Sequence, residues 1–258
     1  MKPTHNKPAD TLREQLAASH TPEKINYRLQ NKEETSYLKD FVYGAVDGAV
    51  TTFAVVSGVA GADLAPQIII IMGMANLVAD GFSMAVSNYL GVKTEKQLHD
   101  KTRLQEKMHI AVYPEGEKEE IRQIFAQKGF SGDTLDKAVQ IITADKKLWE
   151  NTMLHEEYGL PPVGSVAWKA ALATFIAFLL IGFIPIFPFL WDYFFRFQVS
   201  NPFLWSSIST AGAFFLVGAI KSKFVNKPWY TSGFETLLLG GTAALLAYLV
   251  GDILEGLV

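Results

Sequence analysis

The 258-residue chain contains no cysteine, so disulfides and thiolate metal sites are excluded. It also lacks a strong charge of either sign. The formal net charge is −3 and no basic patch stands out, which excludes nucleic acid as a partner. Neither a Ser/His/Asp arrangement nor a phosphate-binding glycine loop occurs, so nothing points to an enzyme or to ATP-driven movement. The first residues are polar and charged, without a short apolar core and a small-residue cleavage site. The expectation is therefore no cleaved signal, with the first apolar segment serving as its own insertion signal.

Charge is unevenly spread. Of the formally charged residues, 12 lie in the first 39 positions and 24 between Gly91 and Gly164. Between and after these stretches run segments long enough to cross a hydrocarbon core of ~30 Å, which needs about 20 apolar helical residues. They are Phe41–Gly61, Ala65–Leu90, Val166–Leu190, Pro202–Ile220 and Ser232–Leu254. Pro185 and Pro188 should bend or end the third. The fold class expected is an all-α membrane protein of five transmembrane helices, with a three-helix cytoplasmic domain inserted between spans 2 and 3. Its divisions are a tail (1–36), helices 1 and 2 (37–92), the insert (93–164) and helices 3 to 5 (165–258).

Lysine and arginine set the orientation. The tail carries seven, the insert eleven, and Lys221, Lys223 and Lys227 make three in the fourth loop. The alternate loops hold Asp63, and Asp192 with Arg196. With five spans every basic loop falls on one side, which places tail and insert in the cytoplasm and the C-terminus outside. The compact design points to a prokaryotic inner membrane, with a vacuolar membrane as the alternative. In the insert, Thr94–His109 continues the second helix, Glu117–Lys128 forms an amphipathic helix, and a third runs from Ser131/Asp133 to Glu157. The tail reads as mobile, with a short amphipathic helix around Leu12–Leu16.

Asp47 and Asp80 lie inside the first two spans with no basic partner there. Each costs ~2.5–3.5 kcal/mol at a bilayer centre, a penalty that marks function rather than anchoring. Asn76, Asp80 and Met84 stand at i, i+4 and i+8, on one face of the second span. Asp40 and Asp47 share a face of the first. Carboxylates and an amide suit hard cations, whereas a thioether favours a later transition metal. The insert offers helical pairs: Glu106 with His109, Glu117 with Glu120, and Met153 with Glu157. Such Glu-x-x-Glu and Glu-x-x-His spacings hold iron in di-metal carboxylate bundles.

Three stretches resemble the vacuolar iron transporter family. They are Tyr37–Gly48 (YLKDFVYGAVDG), Asn76–Leu90 (NLVADGFSMAVSNYL) and the charged insert ending Glu157-Tyr-Gly-Leu. The resemblance covers roughly residues 35–258. It implies a homodimer of five-span subunits with the ion path at the interface, and proton-coupled export of Fe²⁺, often also Mn²⁺, from the cytoplasm. By position it makes Asp47 and Met84 intramembrane ligands and Asp40 an acidic residue near the cytoplasmic mouth. Glu117, Glu120, Met153 and Glu157 fall on cytoplasmic metal-binding positions. The chain departs from plant members, which carry a glutamate where Asn76 stands, one turn before Asp80. The earlier Glu-x-x-Glu is reduced to Glu106, flanked by Arg103 and His109. A membrane-anchored, ferritin-like iron-oxidising or iron-storing protein is the alternative function.

Overall fold

The computed structural model describes residues 7–30, 36–161, 164–195, 200–225 and 227–257. Two helices, α1 (Lys7–Ser19) and α2 (Pro22–Gln30), form a unit by themselves. The first contains the amphipathic stretch expected around Leu12–Leu16, and the second was not anticipated. Residues 37–258 form the other unit.

Its helices begin where the sequence supplies the right residue. Pro66, Pro114 and Pro202 open α4 (Pro66–Val112), α5 (Pro114–Gln127) and α10 (Pro202–Lys221), where a missing N–H costs nothing. Asn201 holds a left-handed backbone (φ 71°) and caps α10 by accepting from Leu204 N at 3.0 Å. Five stretches are apolar enough to cross a bilayer. Four are single helices: α3 (Leu38–Gly61), the first half of α4, α10 and α11 (Trp229–Glu255). The fifth is α8 (Ala167–Gly182) followed by α9 (Phe187–Phe195), bent by 57° in the segment that contains Pro185. The described residues are thus all-helical with four spans, or five when the bent pair counts as one. Arg196, assigned to an outer loop above, lies outside the described residues.

α3 is the centre of this bundle and packs against α8, α11, α4 and α10. Small residues let the backbones approach, as lipid-embedded helices require. A Cβ on Gly251 would lie 2.1 Å from the Gly58 carbonyl oxygen, and one on Gly44 would lie 2.3 Å from that of Thr174. Around these crossings Phe53, Val56, Ile69, Phe189 and Phe214 fill the interior.

α4 runs 47 residues without a break, so the second span and its polar continuation are one rod. Beyond it the insert differs from the expected three helices. The stretch read as one helix from Ser131 to Glu157 is two, α6 (Gly132–Ala144) and α7 (Lys146–Glu156). Asp145 is the reason. Its backbone is extended (φ −109°, ψ 108°), and its carboxylate accepts from Lys147 N at 2.8 Å and Leu148 N at 3.1 Å. An aspartate that satisfies two orphan N–H groups starts a new helix better than it continues an old one. The break lets α5, α6 and α7 close on the end of α4 around Ile110, Ile121, Leu135, Val139, Trp149 and Met153. Gly129 (φ 92°) and Gly159 (φ 64°) take left-handed turns after α5 and α7.

Candidate metal sites in the membrane and in the insert

Two places gather ligand-type side chains. The first lies between α3 and α4. Asp47, Asp80, Met84 and Asn88 line one cavity of about 410 Å³, together with Tyr43 and Ser83. Among the described residues no lysine or arginine lines it. The half-buried carboxylates of Asp47 and Asp80 therefore face each other across an opening in otherwise apolar helices. Like charges held close in a low dielectric repel, and a divalent cation relieves both the repulsion and the desolvation.

The structure divides the expected residues. Asp47, Asp80 and Met84 meet as their spacing implies. Asn76 instead turns to α3, its amide within 3.4 Å of both the Thr51 and Thr52 hydroxyls. Asp40 does not line the cavity but is tied to it. Asn88 donates to the Asp40 carboxylate at 2.9 Å and to the Thr174 hydroxyl at 2.7 Å, joining α3, α4 and α8. Asn88 and Ser83 escaped the sequence reading. Their signal was available, because Ser83, Ser87 and Asn88 follow Asp80 and Met84 at steps of three and four.

The second place is in the insert. Glu106 and His109 at the end of α4 meet Glu117 at the start of α5, all three ligand atoms lying within 4.8 Å of one another. His109 Nδ1 is 3.4 Å from Glu106 Oε1 and 3.5 Å from Glu117 Oε1. Both glutamates are buried, and the second carboxylate oxygen of each has no hydrogen-bond partner. Two buried carboxylates with orphan oxygens and one imidazole form a donor set that a divalent ion completes. Burial, aided by the charges of Glu106 and Glu120, pushes the Glu117 carboxyl up to about 7. Glu157, at the rim, is raised too, first by partial desolvation of its carboxyl and then by Glu120 and Glu106. Glu120 and Glu157 are exposed at the rim, whereas Met153 is fully buried in the apolar core.

Tyr158 completes this cluster, and no spacing rule would find it. Its hydroxyl donates to Glu106 Oε1 at 2.8 Å across 52 residues of sequence. Burial and the Glu106 carboxylate hold the phenol above its usual range, so it remains a donor. Tyr158→Phe should therefore destabilise the metal-free protein by about 1–3 kcal/mol, the cost of stripping a donor from a buried acceptor. The measurement is thermal unfolding in chelator, and an unchanged midpoint would show that this bond carries no weight.

Comparison with known proteins gives a consistent picture. A sequence profile of the VIT family matches residues 38–252. A vacuolar iron transporter of Toxoplasma gondii is 32% identical over 239 residues, 88% of this chain and 78% of that protein. One from Plasmodium berghei is 31% identical over 86% of this chain and 84% of its own length. Vacuolar iron transporter 1 of Arabidopsis thaliana is 28% identical, covering 84% of this chain and 86% of that protein.

Proposed function

We propose that this chain, which belongs to the VIT family, carries Fe²⁺, with Mn²⁺ as a second ion, out of the cytoplasm in exchange for protons. The observation that carries the reading is the meeting of Asp47, Asp80 and Met84 in one cavity inside apolar helices. A membrane anchor has no use for that arrangement, which counts against an iron-oxidising or iron-storing protein held at the surface.

In this reading the Glu106–His109–Glu117 cluster, with Glu120, Glu157 and Met153 around it, collects the ion from the cytoplasm. Asp40 and its clamp Asn88 draw it towards the membrane. Asp47, Asp80 and Met84 then replace part of its water shell. Protons arriving from the far side neutralise the carboxylates and release it. A second copy of the chain supplies the rest of the coordination shell. In this reading that copy sits against the open mouth of the cavity, where Tyr43, Ser83 and Ser87 are exposed.

Purified protein in liposomes tests the transport. Fe²⁺ uptake should rise with an opposing proton gradient and exceed Co²⁺ and Zn²⁺ uptake. No uptake under any gradient would remove the reading. Topology is tested separately, because the chain has no cysteine of its own. Thiols at Lys118→Cys and Asp192→Cys should react with an impermeant reagent from opposite sides. Labelling of both from one side would remove the five-span arrangement.

A further inference from the structure

Between the two sites α4 passes through a neck where a third set of side chains has no part in either. Met84, Asn88, Glu95, His99, Thr102 and Glu106 recur along α4 at steps that keep them on one face of a single rod. The upper pair lines the membrane cavity, and Glu106 belongs to the cytoplasmic cluster. In the middle, Glu95 and His99 line a separate cavity of about 330 Å³, closed on its far side by Leu160, Pro161 and Ser165.

His99 is the unexplained group. It is 9% exposed, and its imidazole has no hydrogen-bond partner among the described residues. The ring lines the cavity, and the walls given by Val92, Leu98 and Leu160 beside it are apolar. The open space beside the ring is where a partner from outside can reach it. Glu95, one turn away, faces the same space. Carboxylate and imidazole four residues apart on a helix point side by side, the spacing two histidines use in helical zinc sites.

We propose that Glu95 and His99 form a divalent-cation site at the neck, a hand-over position between the cytoplasmic cluster and the membrane cavity. Binding stands on the cavity and its two ligands alone, whereas the hand-over role rests on the transport reading above. An imidazole with one carboxylate suits Fe²⁺, Mn²⁺, Co²⁺ or Zn²⁺ and disfavours Mg²⁺, which demands oxygen. Two side chains leave the rest of the shell to water. The site is therefore weak, as a step that must also let go requires.

The absence of cysteine makes a direct test available. In the full chain, His99→Cys creates the single thiol, and Co²⁺ alone is the probe. Thiolate bound to Co²⁺ gives a near-ultraviolet charge-transfer band that no other site in this protein can produce. The band should appear and saturate, and adding Glu95→Ala should weaken the Co²⁺ affinity by about tenfold or more. Adding Asp47→Asn should leave it unchanged, since that residue belongs to the other cavity. No band, or a band indifferent to Glu95→Ala, overturns the site. Uptake provides a second readout. His99→Phe keeps the ring's bulk without a donor and should raise the metal concentration for half-maximal uptake about tenfold. His99→Asp, which restores a ligand, should bring it back, and an unchanged value in His99→Phe overturns the hand-over role. The Co²⁺ band is read without transport, so failure of uptake in the parent protein would count against the transport reading alone.

Discussion

Asp47→Asn is expected to abolish ion uptake while leaving a folded protein at least as heat-stable as the parent. The two halves of this expectation come from different physics. For the fold, Asp47 is a liability, because its carboxylate sits half-buried in an apolar helix opposite Asp80. Asparagine keeps the shape, removes the charge and relieves part of the ~2.5–3.5 kcal/mol that a carboxylate costs at a bilayer centre. The contact that Asp47 makes within α3 survives, since Thr51 donates to its backbone carbonyl at 2.9 Å rather than to its side chain. For transport the same change removes an anionic ligand and a proton acceptor together. Loss of a residue that merely supports a metal site costs about 10–100-fold, so loss of a ligand should exceed that. Uptake into liposomes and a melting curve on one preparation decide the matter. A variant as stable as the parent that still carried Fe²⁺ at the parental rate would sink the role given to Asp47. Met84→Leu is the companion experiment. It should leave folding intact and shift preference from Fe²⁺ towards harder ions, because only the thioether has been lost.

How much of the site is legible in the sequence depends on the range of each interaction. The spans were legible because lipid exposure leaves a composition signal twenty residues long, which no local detail obscures. The meeting of Asp80 and Met84 was legible because helical spacing alone places them one turn apart. The cavity needed one further inference, that α3 and α4 form a hairpin, and the short Asp63–Pro66 turn supplied it. The insert was harder. One capping residue, Asp145, cut a helix that periodicity had drawn as continuous, since β-branched Ile141, Ile142 and Thr143 satisfy either pattern. The Glu117/Glu120 pair was expected to face one way, yet Glu117 is buried against His109 and Glu120 is exposed. Which member of a surface pair turns inward is decided by the neighbouring helix, and no spacing within α5 contains that information. Tyr158 and His99 fall in the same class. Their partners or cavities come from distant segments, and only the closed fold brings these together.

The metal-free protein should be more stable at pH 5.5 than at pH 7.5, and Glu117→Gln should remove most of that difference. In the unfolded chain the Glu117 carboxyl titrates near 4.5, and in the folded protein near 7. Between those values the folded state holds a proton that the unfolded state has released. Stability therefore falls as pH climbs through the window and levels off above it. The full effect is on the order of 3 kcal/mol. Its causes are the burial of the carboxyl and the repulsion of Glu106 and Glu120, only part of which His109 offsets. A divalent ion reverses the sign. It takes the place of the proton, supplies the charge that both buried glutamates lack, and binds better as pH rises. Fe²⁺ at a hundredfold excess over its dissociation constant should add about 2.7 kcal/mol to the folded state. That gain should be large at pH 7.5 and small at pH 5.5. In Glu117→Gln the carboxylate is gone, so the metal-free protein should melt higher at pH 7.5 than the parent and respond little to Fe²⁺. Anaerobic melting of the full chain at the two pH values, with Fe²⁺ and with Mg²⁺ as control, separates this from an ordinary acidic surface. A solvated face predicts no pH slope from Glu117 and an equal, small response to both ions. If parent and variant shift equally with Fe²⁺, the cluster is not a metal site, and collection of the ion must begin elsewhere on the insert.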